Sequence, residues 1–424
     1  MSTIEKAREL DNQNPLSHFK NRFYPVQNTI YVDGNSLGLL SIDAEKSILR
    51  LIDEWKNQAI SGWLNAQRPW FYFAEDMGAM ASVIVGASKN EVIMTGTTTI
   101  NIHNLISSFY NAEGKKCKIL ADELNFPSDL YAIKGFLRLI GSDINKNLII
   151  VKSDKSGLLD EDTIVNMMSD EISLVFLPSV IYTTGQLLDI KKLTKEAHDR
   201  NILIGFDCSH SVGAIPHKFS EWDVDFATWC SYKYLNGGPG GAAFIYVNQK
   251  HFEKVPYLTG WFGSHKDIQF DMSPEFIPAP DVGRWQISSP GVLGSVAIEG
   301  SLKIILEAGI ENIRVQSLKL TDYLIFLIKN RLIKEFPEFK FATPLNPDRR
   351  GGHISIEHPV ATRIVEAMKE SGIIPDLRPP NLIRIAPVAL YNTFEEVWKV
   401  VDIMLEIMRK KAYLKFSNAR KIVS

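Results

Sequence analysis

The chain has 424 residues, 45% apolar and 23% charged, with 47 Lys and Arg against 49 Asp and Glu and a formal net charge of −2. That length exceeds one ordinary domain and predicts a large domain with a smaller one beside it, and the composition supplies ample core. Nearly balanced charge without a basic stripe gives nucleic acid and anionic membranes no handle, and no apolar run is long enough to span a bilayer.

The opening stretch MSTIEKARELDNQNP carries charges from its fifth residue and lacks the apolar centre of a secretory signal. Residues 1–50 read as an N-terminal segment and 51–290 as the large domain. There EVIMTG predicts a strand, and Ile102, Leu105, Ile106 and Phe109 follow at the spacing of one helix face. CKILADEL predicts the next strand, ahead of an amphipathic stretch reaching residue 140. NLIIVKSD precedes DEDTIVNMM, ISLVFLPSV precedes IKKLTKEAHDR, and NILIGFDCSH and FATWC follow as further strands. Such alternation predicts an α/β domain whose sheet is mostly parallel, with helices on both faces. Cys117, Cys208 and Cys230 have no metal-ligand spacing and read as free thiols in a reducing compartment, so a cytoplasmic location is expected.

Past residue 290 the pattern changes. One long helical stretch is expected over 291–335, then short strands in KFATP and GGHISIEH. A last helix opens at Thr393 with Glu396 at capping-box spacing, and Val397, Val400, Val401, Met404 and Met408 form its apolar face. Residues 291–424 therefore read as a smaller α+β domain.

In parallel sheets ligands bind beyond the carboxyl ends of the strands, and four features fall there. Asp207 closes NILIGFD; it is either a structural cap or ion-pair partner, or the anionic partner of a protonated ring nitrogen, with His210 in reach of the same ligand. Lys233 lies between Tyr232 and Tyr234 where a strand meets the glycines of NGGPGG. It is either a snorkelling surface lysine or a desolvated amine able to form a Schiff base. Thr97, Thr98 and Thr99 precede a helix, as N-caps or as a phosphate cradle. Phe126, in NFPSDLY, is either packing or a lid on a planar ring. An acid for a pyridinium, a lysine for a carbonyl, a phosphate cradle and an aromatic lid together fit pyridoxal phosphate.

YVDGNSLGLL, QRPWF, NFPSD, YTTGQLLDI, GFDCSHSVGA, DFATWCSYKYLNGGPGG, GWFG and LIRIAPVALYNTFEEV are spread over most of the chain. In these the sequence resembles the kynureninase family, fold type I pyridoxal-phosphate enzymes related to class V aminotransferases. The resemblance implies a large domain on a mostly parallel, seven-stranded sheet, a smaller C-terminal α+β domain, and a homodimer. It implies that Lys233 carries pyridoxal 5'-phosphate and shuttles protons, with Asp207 against the pyridine nitrogen and Tyr232 as relay. Thr98, Thr99, Tyr232 and Trp261 would contact the phosphate end, Trp261 being a residue that the second subunit can supply. Phe126 would stack on the ring, Asp129 and His210 would line the site, and Arg384 would clamp the substrate carboxylate. Asn35 and Trp63 would meet substrate, and Ser289 both substrate and cofactor.

The family reaction is hydrolytic cleavage of L-kynurenine or 3-hydroxykynurenine to an anthranilate and alanine. Ser289 stands where vertebrate-like members carry Asn, and Trp63 where they carry His, which implies a preference for kynurenine over its hydroxylated form. Pro178 replaces a small polar residue of some members. Cysteine desulfurases share the Asp-to-Lys arrangement but need a nucleophilic cysteine, and none follows Cys230. A class V aminotransferase would release an α-keto acid, and a non-catalytic scaffold has no use for Lys233, Asp207 and Arg384 together.

Overall fold

The computed structural model describes residues 2–419. One sheet holds β1 Val92–Thr95, β2 Lys118–Asp122, β3 Leu148–Val151, β4 Ile172–Pro178, β5 Leu203–Asp207, β6 Phe226–Cys230 and β7 Ala243–Val247. Their order is β1-β7-β6-β5-β4-β2-β3, and only β7 runs antiparallel to its neighbours. These runs are apolar at both parities because helices cover both faces: Leu174 and Phe176 of β4 enter one buried cluster, Val175 and Leu177 another. The α/β class with a mostly parallel sheet is as expected. β7 lies outside the expected strands; AFIYV follows the glycine-rich loop directly and pairs with β1 and β6.

The C-terminal sheet is antiparallel, with β8 Lys340–Phe341, β9 Ile354–Glu357, β10 Asp376–Arg378 and β11 Leu382–Ile385 in the order β10-β11-β9-β8. Helix Phe394–Arg409 starts with the expected capping box: Thr393 Oγ1 accepts from the Glu396 N–H at 3.0 Å, and the Glu396 carboxylate accepts from the Thr393 N–H at 3.0 Å. Val397, Val400, Val401, Met404 and Met408 pack with Ile354, Ile356, Ile383 and Ile385.

The stretch 291–335 is not one helix. Val292–Ser295, Ala297–Ala308 and Ile310–Leu327 are separate helices, followed by a π-helical turn at Ile328–Leu332 and a short Ile333–Glu335. Gly309 makes the main break at φ 76°, a left-handed conformation that removes the chain from the helical path while the apolar period resumes beyond it. Ile298, Leu302 and Ile305 then pack with the large sheet, whereas Leu320, Leu324 and Leu327 join the C-terminal core. The N-terminal segment bridges the two cores. Ile30–Tyr31 pairs in parallel with Ile373–Ile374, Ala7 and Val32 join the C-terminal core, and Leu16, Phe19 and Phe23 join that of the large sheet. No helix among the described residues is long and apolar enough to cross a membrane.

Candidate functional site

The carboxyl ends of β5 and β6 deliver Asp207 and Lys233. Asp207 stays close to its strand because its carbonyl accepts from the Ser179 N–H at 2.8 Å and its Oδ1 from the Ser209 N–H at 2.9 Å. The second bond is a local turn typical of Asp, and it fixes the carboxylate at the strand end. Lys233 sits in a tight turn closed by the Gly237 N–H on the Ser231 carbonyl at 2.8 Å and the Asn236 N–H on the Lys233 carbonyl at 2.9 Å. The GNSLG loop braces this turn: the Gly38 N–H donates to the Tyr232 carbonyl at 2.8 Å. A Cβ at Gly38 would lie 2.5 Å from the Lys233 carbonyl oxygen, so only glycine permits that approach.

The Lys233 ammonium donates to His210 Nε2 at 2.9 Å and lies 5.9 Å from the ring centre of Phe126 and 5.8 Å from that of Tyr232. Burial, followed by the charges of Lys233 and Arg384, holds His210 well below its ordinary range, so it faces Lys233 as a neutral acceptor. Asp129 is buried beside Asp207, with no donor to its Oδ2. Burial first, then the Asp207 charge, raises the Asp129 carboxyl well above the usual range. Burial likewise raises the Tyr232 hydroxyl, with Cys230 adding to it.

Helix Pro127–Leu139 begins just after Phe126, leaving that ring 41% exposed, edge-on to Tyr182 at 5.2 Å and with a face free for a planar ligand. Thr98 and Thr99 open helix Thr98–Phe109, and the preceding Thr97 makes no side-chain cap, so N–H groups of the first turn are open to an anion. Asn35, fully buried, has no partner for either amide atom.

Arg384 reaches the site from β11, fully buried and already engaged. It pairs with Asp376, donates to the Tyr182 carbonyl at 2.6 Å and to Ser36 Oγ at 3.0 Å. Its guanidinium is thus held rigidly by the N-terminal loop, the 182–186 loop and β10. Asp33, nearby, has its carboxyl pushed up to about 6 by burial and by Asp376. Tyr182, Ser36, Asp33, Asp376 and His353 had no place among the expected site residues; YTTGQ and GNSLG are their only sequence signals.

Trp63, Trp261 and Ser289 share a cavity whose lining does not include Lys233. They line an apolar cavity of about 610 Å³ with Phe71, Phe262 and Phe270, where Trp63 meets Trp70 and Phe262 at 6.1 and 6.2 Å. Trp261 is 45% exposed and packs on Phe262 and Phe270. Pro178, ending β4, pairs with Asp207 in register and offers no side-chain polar atom.

The chemistry of the Lys233 cluster fits pyridoxal phosphate: an amine, a carboxylate beside it, an open aromatic face, a helix N-terminus, and buried polar atoms lacking partners on Asp129 and Asn35. It offers an amine next to a neutral base, anionic stabilisation of a protonated ring nitrogen, and a guanidinium for a carboxylate.

A family model described as the kynureninase C-terminal domain matches residues 313–404. The chain is 54% identical over 424 residues to a protein named kynureninase from Geobacillus thermodenitrificans, covering all of this chain and 98% of the relative. It is 52% identical over the same span to one from Shouchella clausii, again covering 98% of it. Among solved structures it is similar to the apo cysteine desulfurase of Thermococcus onnurineus, with a TM-score of 0.75, 18% identity, and coverage of 93% of this chain and 98% of that one. It is similar too to a C-DES variant with glycine covalently linked to its PLP cofactor, with a TM-score of 0.75, 16% identity, and coverage of 91% and 98%. The structural likeness speaks for fold alone. Identity above one half from end to end goes further: the chain belongs to the kynureninase family.

Proposed function

We propose that this chain is a pyridoxal-phosphate-dependent hydrolase that cleaves the Cβ–Cγ bond of L-kynurenine, releasing anthranilate and L-alanine. It also accepts 3-hydroxykynurenine, giving 3-hydroxyanthranilate. The observation that carries this reading is end-to-end identity of 54% to a protein named kynureninase. The gathering of Lys233, Asp207, Asp129 and His210 at one sheet edge supports it.

Pyridoxal phosphate, when bound, supplies an electron sink for charge leaving the substrate Cα. Lys233 takes the Cα proton and returns it, and neutral His210 orients its amine at 2.9 Å. Asp207 would hold a proton on the ring nitrogen. Thr98, Thr99 and the first-turn N–H groups would bind the phosphate, and Phe126 would cover the ring and exclude water. Arg384, held by Asp376 and Ser36, binds the substrate carboxylate in a fixed plane, with Asn35 beside it. Tyr232 binds phosphate and relays a proton to the leaving fragment.

Trp63, Trp261 and Ser289 act across a homodimer interface, where their apolar cavity meets the Lys233 cluster of the second copy. That Lys233 does not line their cavity, and that Trp261 is 45% exposed, favour this reading. A bulky ring at Trp63 and a small hydroxyl at Ser289 favour kynurenine over 3-hydroxykynurenine; a kcat/KM ratio in favour of the hydroxylated substrate overturns that preference. Residues 1–50 serve as N-terminal segment, 51–290 with the helix Ala297–Ala308 packed on them as cofactor domain, and the rest of 291–424 as small domain, of a cytoplasmic protein that binds neither nucleic acid nor membrane. A desulfurase reading, suggested by the fold, is opposed by Cys208, fully buried with its thiol pushed up to about 12.

Incubation with kynurenine tests the reading: equimolar alanine and anthranilate are expected. An α-keto acid in place of alanine, or sulfide from L-cysteine with kynurenine left intact, contradicts it.

A further inference from the structure

His353 is the one histidine fully buried with no partner on either ring nitrogen among the described residues. It precedes β9, whose Ser355 stands opposite Arg384 of β11, so the small domain carries this ring to the site. The 182–186 loop wraps it closely: the Gly351 N–H donates to the Gly185 carbonyl at 2.7 Å, and a Cβ at Gly185 would lie 3.1 Å from His353 Nε2. Its ring centre lies 6.1 Å from that of His210, inclined at 63°.

Lys233 donates to His210 Nε2, so in the neutral His210 ring the proton must sit on Nδ1. That Nδ1–H is buried and has no acceptor within the chain, so it has lost water without gaining a partner. The neighbouring imidazole with an empty nitrogen is His353. Ring centres 6.1 Å apart are too far for a direct hydrogen bond at this inclination and suit a single bridging water. Burial foremost, then the charges of Arg384, Arg378 and Lys233, holds His353 well below its ordinary range, so it stays neutral and able to accept.

We propose that His353 is a positioning residue: through one bridging water it accepts from His210 Nδ1–H, fixes the His210 tautomer, and thereby keeps the Nε2 lone pair aimed at the Lys233 amine. This rests on Lys233 as the reactive amine for its consequence, but not for its geometry. A proton held on the far side of His210 leaves Lys233 with a constant acceptor. Without His353 the buried Nδ1–H has no partner, the other tautomer gains population, and an N–H then confronts the ammonium.

The test is nitrogen NMR of ring-labelled histidine in the full-length protein, before and after loading with pyridoxal phosphate, with His210 assigned by loss of its signals in His210→Gln. In the cofactor-free protein His210 should be a single Nδ1–H tautomer. His353→Leu should mix its tautomers and lower kcat on the order of tenfold, the scale at which partners that orient a functional histidine act. His353→Gln, which keeps an acceptor, should restore both. An Nε2–H tautomer in the unaltered protein overturns the proposal without any variant, so a misfolded leucine variant leaves it falsifiable. An unchanged tautomer in folded His353→Leu overturns it as well. The tautomer is read without substrate, so a failure of the proposed reaction remains distinguishable from a failure of this assignment.

Discussion

At the amino end of β6, Asp225 is buried and fully engaged. Its carboxylate meets His198 at 2.9 Å, His251 at 2.7 Å, Lys250 at 3.0 Å and the Ile204 N–H at 2.8 Å. At the carboxyl end of neighbouring β5, Asp129 and Asp207 crowd each other, and Asp129 Oδ2 and the Asn35 amide have no partners. Both regions are buried and rich in acids and histidines, yet one is saturated and the other is left open. An interior satisfies its polar groups unless something else does so in use. The saturated end therefore belongs to stability and the open end to a ligand.

The largest expected effect breaks the open end alone. Lys233→Ala should lower kynurenine cleavage by about ten-thousand-fold or more while leaving the unfolding midpoint within error, checked by alanine release and denaturant melts. At the other end, Asp225→Ala should destabilise the fold by roughly 3–5 kcal/mol, because Lys250 loses its counter-ion and His198, His251 and the Ile204 N–H lose their buried partner, with kcat per folded molecule unchanged. Gly38→Ala should cost about a hundredfold in kcat/KM and about 1–3 kcal/mol of stability, since the added methyl pushes on the Lys233 carbonyl and displaces the amine by a fraction of an ångström or more.

The two ends should also differ in sign on a pH scale. Burial pushes Asp225 upward, but His198, His251, Lys250 and the Ile204 N–H outweigh it and hold the carboxyl well below its ordinary range. Its contribution is present above the unfolded value of about 3.9 and is lost as pH falls through the folded one. Asp129 is shifted the opposite way by burial and Asp207. Its contribution is present below about pH 3.9 and is lost as pH rises through the raised value. In the cofactor-free protein, Asp129→Asn should therefore flatten the loss of stability as pH rises above about 4, and Asp225→Ala the loss on the acid side. Urea unfolding across pH reads both; the same slope change from both variants would erase the contrast.

The open end was the more legible of the two in the sequence, because it follows a topological rule. Asp207, Lys233, Thr98 and Phe126 stand where apolar runs stop, and parallel sheets expose those ends. His353, Ser36, Asp33 and Asp376 come from the small domain and N-terminal loop, and local patterns do not reveal which distant segments fold over a sheet edge. Asp225 was equally hidden: in DVDF it looks like a loop acid, and its partners His198 and His251 lie on other segments. The helix break at Gly309 escaped the periodicity because the apolar stripe continues beyond it, though glycine was a local warning.

Hydrogen–deuterium exchange with and without pyridoxal phosphate tests most directly whether the open end is the cofactor's. Protection should rise at residues 96–99, 125–129, 207–210 and 231–237 and stay unchanged around 198–204 and 248–251. Protection spread evenly over both ends, or gained only around Asp225, would contradict it.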